Sequence, residues 1–283
     1  MRFLFVLLYV LSLSACKTYN VKDLDLIHPD YLTGYKTKEV FNAEKLQKYL
    51  PQATLKEEVI SVDQAPAESV LIKGVSVSLP ENKTTLLYFG GNLTHVDQTA
   101  PQLSKIAASC PFNFVTFDYR GYGRSAGQPD ALILKNDALR IYDYVRAQTS
   151  GKLIVHGFSL GSFLAAHIAA NRPLDGLILE GSSTHPDELI NAQIPWYFKP
   201  FVTVTISDNL KTISNTQALS NYTGKVLVIT GEKDSSTPEH LGRKLFEGIP
   251  SKEKEYFMVP NGTHNNLMGN PQVKTIFCNL VGK

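Results

Sequence analysis

The sequence predicts an α/β fold built on a mostly parallel, eight-stranded sheet with helices on both faces. Eight short runs rich in β-branched and apolar residues succeed one another at 57–62, 69–79, 84–89, 112–118, 152–157, 175–181, 225–231 and 254–260. The early runs are joined by hairpins, whereas stretches with helical spacing at 98–109, 131–149, 160–171 and 238–248 separate most of the later ones, and a last helix at 271–281 follows the final run. Hairpins early and helical crossovers late describe a sheet that is mostly parallel and covered on both sides. With 283 residues, 43% of them apolar, the chain can bury one large core, so a single domain is expected over 57–283. Its 28 basic and 26 acidic side chains are interspersed, which implies no nucleic-acid partner.

The first residues are of a different material. Met1 and Arg2 give a short positive start, "FLFVLLYVL" is continuously apolar, and "LSAC" closes the segment with small residues, so residues 1–15 read as a signal peptide. The apolar run is shorter than the roughly 20 residues a membrane span needs. The ending Leu13-Ser14-Ala15-Cys16 resembles the bacterial lipobox, in which the cysteine is acylated and heads the mature chain. Cys16 is therefore the expected lipidation site and the lipid the expected membrane anchor, several acyl chains holding far more firmly than one. Lys17 after the cysteine, by resemblance to Gram-negative lipoproteins, favours the outer membrane, with the domain facing the periplasm. Asn-x-Ser/Thr sequons at Asn82, Asn92, Asn221 and Asn261 fit a bacterial source better than a eukaryotic secretory one, because glycans at Asn92 and Asn261 would block the site described next. Residues 16–56 read as a connector with helical pieces, "NAEKLQKYL" being the clearest, that carries the domain away from the membrane. Of the two cysteines left after lipidation, Cys110 and Cys278, the sequence allows either a disulfide or two buried thiols.

The stretch "KLIVHGFSLGSFLAAHIAA" places one serine, Ser159, between a β-branched run and an alanine-rich run with Leu160, Leu164 and Ile168 at helical spacing. A serine at a tight strand-to-helix turn has an exposed hydroxyl, and Gly157 and Gly161 let the two elements close on each other. The N–H of Leu160 at the helix start is aimed where a negative oxygen would form. A hydroxyl needs a base and an orienting carboxylate to become a nucleophile. Asp234 lies just beyond the run at 225–231 and His264 just beyond that at 254–260, giving the chain order Ser, Asp, His. Glu232 is the alternative carboxylate, and His156, His167, His185 and His240 are read as structural.

Together these motifs resemble the α/β-hydrolase superfamily, and within it the branch of α/β-hydrolase domain proteins and serine aminopeptidase-like hydrolases. The resemblance runs from about Val59 to the C-terminus and rests on "GFSLG", "FVTFDYRGYGRSAG", the aspartate of "GEKDSSTP" and the histidine of "NGTHNNL". It implies an oxyanion hole completed by a backbone N–H in the turn after the third strand, where relatives carry a His-Gly-Asn-like sequence. Here that turn is "LLYFGGNLTH", with Gly90 in place of the histidine and Asn92 supplying the N–H. The glycines and charges of "DYRGYGRS" are expected to brace the site, although Arg120 and Arg124 are candidates for contact with an anionic substrate.

Specificity is expected in a cap insertion at about 183–223, where "IPWYFKPFVTVTI" holds the single tryptophan. Two readings stay open for this insertion, a small cap that forms an apolar acyl or aryl pocket and a packed helix pair over the core. The expectation is a monomeric serine hydrolase of carboxylester or thioester bonds, acting on a small-molecule or lipid-like acyl substrate through an acyl-enzyme and needing neither metal nor organic cofactor. Peptidase or amidase chemistry uses the same triad, and an envelope-binding lipoprotein without catalysis is the alternative of another class.

Overall fold

The computed structural model describes residues 17–64 and 68–282. The expected signal peptide and the lipidation site Cys16 lie outside the described residues.

Eight strands form one sheet in the order β10-β9-β7-β6-β4-β5-β3-β2. The first two, β2 (Thr54–Gln64) and β3 (Glu68–Ser78), make an antiparallel hairpin, and β3 also runs antiparallel to β5 (Asn113–Phe117). The other pairings are parallel: β5 with β4 (Thr84–Phe89), β4 with β6 (Lys152–Phe158), β6 with β7 (Gly176–Glu180), β7 with β9 (Val226–Gly231), and β9 with β10 (Lys254–Val259). The eight strands fall on the eight β-rich runs of the sequence. The central ones, such as "GLILE" in β7, are buried on both faces, which is why they read as near-continuous apolar runs rather than alternating ones.

One face of the sheet is covered by α5 (Ala131–Gln148), α6 (Leu160–Asn171) and α10 (Glu239–Gly248), whose Leu134, Ile141, Phe163 and Leu245 join a core with Leu87, Val155 and Leu179 of the strands. The other is covered by α4 (Val96–Ala107) and α11 (Pro271–Val281), whose Leu103, Val273 and Phe277 pack with Leu86, Ile154 and Ile229. Cys110, just after α4, and Cys278, within α11, are joined as a disulfide on this second face, with Cα atoms 5.6 Å apart. After β4 the chain moves to β5 on one side and then returns to β6 on the other. The order thus reverses around β4, and a crevice opens at the carboxyl ends of β4 and β6.

Two features depart from expectation. Far from standing clear of the domain, the described part of segment 16–56 is folded onto it. Its short helices α1 (Asp23–Leu26), α2 (Asp30–Thr33) and α3 (Ala43–Gln47) frame Ile27, Phe41 and Leu46, all buried in the two cores. Those apolar residues would be costly to leave in water, at roughly 1.5–3 kcal/mol each. The segment begins as a strand, β1 (Lys17–Val21), paired parallel with β8 (Val202–Ile206) of the cap in a separate two-stranded sheet.

The cap contains α7 (Pro186–Gln193), a 3₁₀ turn (Lys199–Phe201), β8, α8 (Asp208–Lys211) and α9 (Asn215–Ala218). Its aromatics are not packed into the core, where such clusters are most often found. Trp196 is 81% exposed, and Tyr197, Phe198 and Phe201 are about half exposed.

Candidate active site

Ser159 sits between β6 and α6 with φ 52° and ψ −115°, a backbone conformation that costs a non-glycine residue of order 1–3 kcal/mol. Its surroundings hold it there. The Ser159 N–H donates to the Glu180 carbonyl at the end of β7, and Ser162 N–H donates back to the Ser159 carbonyl. A Cβ on Gly157 would lie 2.3 Å from the Gly161 carbonyl oxygen, and one on Gly161 would lie 2.1 Å from the Phe89 carbonyl oxygen. Only glycine lets α6, β6 and the end of β4 approach this closely, which explains the spacing of "GFSLG". The Leu160 N–H heads α6, where helix donors lack intrahelical acceptors.

The turn after β4 lies against this elbow. A Cβ on Gly91 would meet the Phe158 ring at 2.9 Å and the Ser159 Cβ at 3.2 Å. Asn92 follows, and its side chain has a role that the sequence did not show. Its Oδ1 accepts from the His28 N–H (3.0 Å) and the Tyr122 hydroxyl (2.8 Å), and its Nδ2 donates to the Leu26 carbonyl (2.7 Å) and faces His28 Nδ1 (3.1 Å). Asn92 therefore ties residues 26–28 to the crevice. That signal was not available from a linear pattern, because its partners lie in a segment without strong periodicity.

Asp234 follows β9 and is almost fully buried. Its Oδ1 accepts the N–H groups of Ser236 and Thr237, both at 2.8 Å, and its Oδ2 accepts the Thr237 hydroxyl at 2.7 Å. His264 Nδ1 lies 2.8 Å from the same Oδ2. Burial alone would raise this carboxyl's pKa, but the hydrogen bonds from His264 and Thr237, and the attraction of His264, hold it below its ordinary value. With a carboxylate at Nδ1, that nitrogen carries the proton and Nε2 keeps its lone pair. The ring packs on Phe158 with centroids 4.9 Å apart, beside the residue that precedes Ser159. Thr237, which completes the Asp234 shell, is another participant the sequence reading missed. It stands three residues after the aspartate, in the spacing of a side-chain turn.

Ser159, His264, Asn92 and Leu160 all line one cleft of about 720 Å³ at the carboxyl end of the sheet. Ile27, Phe163, Leu189, Ile190 and Ile213 give it an apolar wall drawn from the N-terminal segment, α6 and the cap. The other residues weighed from the sequence lie elsewhere. Glu232 accepts from the Asn261 N–H. His156 pairs with Glu180 at 3.0 Å in the core, His185 pairs with Asp187, and burial with Lys135 and Arg172 nearby lowers His167 to about 4. Arg120 is buried against Asp137 (2.5 Å), while Arg124 engages Asp97 and the Phe41 carbonyl, so both brace the fold. Among the described residues no group of three or more His, Cys, Asp or Glu is placed to hold a metal ion.

A sheet of this order, with a serine elbow after β6 and an Asp–His pair after β9 and β10, defines a class before any comparison is made. A family profile described as "alpha/beta hydrolase fold" matches residues 84–217. The esterase Pf2001 of Pyrococcus furiosus superposes with a TM-score of 0.65 over 90% of this chain and 97% of its own, at 13% identity. The chain belongs to the α/β hydrolases. In sequence it is similar to the lysophosphatidylserine lipase ABHD12 of Mus musculus, 29% identical over 233 residues covering 73% of this chain. It is also similar to protein bem46 of Schizosaccharomyces pombe, 28% identical over 197 residues covering 66% of this chain and 63% of bem46. The match spans 58% of the length of the mouse lipase.

Proposed function

We propose that this chain is a serine hydrolase that cleaves carboxylic esters of apolar acyl chains, with Ser159, His264 and Asp234 as its triad. The observation that carries the reading is the Asp234–His264 pair, 2.8 Å apart, facing the same cleft as the Ser159 elbow. His264 Nε2 takes the Ser159 proton as Oγ attacks the acyl carbonyl, then returns it to the leaving alcohol. Water, deprotonated by the same nitrogen, then attacks the acyl-enzyme carbonyl; the bond to Ser159 Oγ breaks, Oγ takes the proton back from Nε2, and the acid leaves. Asp234 holds the tautomer and balances the imidazolium that forms. The N–H groups of Asn92 and Leu160 receive the oxyanion, an arrangement worth about 10²–10³ in rate per donor.

The apolar wall fits one hydrocarbon chain better than a peptide, and the naming of relatives as lysophosphatidylserine lipases supports a substrate with a single acyl chain and a polar head. Cys16 acylation and a place in a bacterial envelope belong to the same proposal. They rest on the sequence alone, above all on "LSAC" after the apolar run, and a mature mass without lipid overturns the acylation.

An active-site-directed fluorophosphonate tests the reaction. The native chain should label at Ser159 and cleave short aryl esters, and Ser159→Ala should abolish both. Asp234→Asn should keep the fold and lose about 10⁴ in turnover, as in triads where the histidine adopts the wrong tautomer. A loss of only a few-fold assigns the orienting role to another carboxylate. A folded chain that neither labels nor hydrolyses any ester, thioester or amide is a binding protein instead.

A further inference from the structure

The exposed aromatics of the cap are unexplained by the cleft. Trp196, Tyr197, Phe198 and Phe201 all present a large part of their surface to solvent, and none of them lines the cavity at Ser159. The Trp196, Tyr197 and Phe198 rings pack on one another in sequence, with centroids 5.8 and 4.7 Å apart, so they form one contiguous apolar patch. Scattered single hydrophobes on a surface are ordinary, whereas clustered aromatics mark a contact face.

A second observation fixes what the patch meets. The strand register pairs Lys17 with Val202, the residue immediately after Phe201. The sixteen residues that precede Lys17 include a continuous apolar run and end in Cys16, and neighbouring strands lie only about 5 Å apart. The chain therefore enters the folded domain beside the aromatic turn, where a hydrophobic or lipid-bearing N-terminus and the aromatic rings can share a single apolar medium. Lys199 lies within the turn and Lys17 pairs with the residue that follows it, a pattern in which aromatic rings sit at headgroup depth and ammonium groups reach out to the lipid phosphates.

We infer that the turn at 196–201 is an interfacial docking surface that seats the cap on a lipid bilayer. The turn follows α7 by two residues, and Pro186, Leu189, Ile190 and Gln193 of α7 line the cleft. Docking there sets the mouth of the cleft against the bilayer surface. The inference does not depend on Ser159 being reactive, because its readout is the position of a ring.

Trp196 is the only tryptophan of the chain, so tryptophan emission of the full-length protein, excited at the red edge where tyrosine does not absorb, reports this turn alone. On vesicles of phosphatidylethanolamine and phosphatidylglycerol, Trp196 emission should move to shorter wavelength and lose access to aqueous iodide. It should also be quenched by bromines on the upper acyl chain, at the ~5–10 Å depth of interfacial insertion. Phe198→Asp with Phe201→Asp keeps the tryptophan and should remove the bromine quenching, while the far-ultraviolet spectrum stays native. Three results overturn the inference. One is a protein that floats with the vesicles while Trp196 remains open to iodide and untouched by bromine. Another is bromine quenching that survives the double aspartate variant, which leaves the tether as its whole cause. The third is a concentration-dependent blue shift without vesicles, which makes a second copy of the chain the occupant.

Discussion

Replacing Asn92 by alanine removes the clamp between the crevice and residues 26–28 while leaving the Asn92 backbone N–H in place, and so separates the two roles of this position. Four contacts disappear, to the His28 N–H, the Tyr122 hydroxyl, the Leu26 carbonyl and His28 Nδ1. A hydrogen bond contributes about 0.5–1.5 kcal/mol net, and the cluster is only partly buried, so water can replace some of what is lost. At the lower end of that range the four together are worth roughly 2–4 kcal/mol, or a fall of about 5–10 °C in midpoint for a domain of this size. Ile27 adds to this if its segment lifts, because it is wholly buried beside the cleft. The assay is urea unfolding of wild type and variant, with ester turnover measured on the same samples. Turnover should fall, yet by well under the ~10²–10³ that removal of an oxyanion donor costs, because the donor survives. A stability loss below about 0.5 kcal/mol refutes the clamp, since that is the range of an ordinary surface substitution.

Three more predictions follow from particular contacts. The Asp118 carboxyl is raised to about 6, chiefly by burial, which the N–H groups of Arg124 and Val96 only partly offset. Its folded value lies above the unfolded value of about 3.9, so the native state holds the proton more tightly, and this group's contribution to stability falls as pH rises from about 4 to about 6. Wild type should therefore gain on the order of 2 kcal/mol relative to Asp118→Asn between pH 7 and pH 4.5, and denaturation midpoints that keep a constant difference reject this. Replacing both Cys110 and Cys278 by serine opens a link spanning 168 residues. It should cost about 2–5 kcal/mol by denaturant unfolding, and reduction of the wild type should reproduce that shift. Gly161→Ala puts a methyl 2.1 Å from the Phe89 carbonyl oxygen. The backbone must yield by about an ångström, so the variant should lose at least ~1–3 kcal/mol in thermal unfolding and its fluorophosphonate labelling with it.

The eight strands of the sheet and five of its helices could be read from the sequence because each is a local pattern whose burial sets its periodicity. The central strands are apolar on both faces, and α6 begins directly at the glycine-flanked serine. The placement of Ser159, Asp234 and His264 was readable for a related reason. Each stands at the end of a strand that had already been identified, so topology alone carries all three to one end of the sheet. In the segment at 17–56 only the helical piece "NAEKLQKYL" was readable, and α3 falls within it; the packing of the segment onto the domain was not. Its helices are four or five residues long, too short to show an amphipathic repeat, and their stability comes from distant partners. Phe41, for example, is held by Asp97 and Arg124. The pairing of β1 with β8 was hidden for another reason: "VTVTI" alternates apolar and polar residues as a strand does, but nothing in it or in "KTYNV" shows that these two distant segments meet. The aromatics at 196–201 misled for the opposite reason. Aromatic clusters are more often core than surface, and no linear pattern reveals that this one faces outward.

In the loop at 118–127 the charges, two of them also candidates for substrate contact from the sequence, brace the fold and set the shape of the site. Burying a lone carboxylate costs several kcal/mol, and doing so is tolerable only when every oxygen has a donor. In this loop and its neighbours, buried carboxylates are matched in that way. Asp137 takes both guanidinium donors of Arg120, Asp97 takes Arg124 and the Phe41 N–H, and Asp118 takes the N–H groups of Val96 and Arg124. Asp30, from the N-terminal segment, joins them by accepting from the Gly123 N–H and pairing with His95. Removing one member strands its partner, so the set holds together as a unit and fixes the loop in one conformation. Tyr122 stands in the middle of that loop, wholly buried, with its hydroxyl on Asn92 Oδ1. No residue of the loop lines the cleft at Ser159. Its influence on the candidate site therefore passes through Tyr122 to Asn92 and the turn after β4; under the proposed mechanism, in which that turn bears the oxyanion N–H, the arginines act as positioning residues and the apolar wall receives the acyl chain.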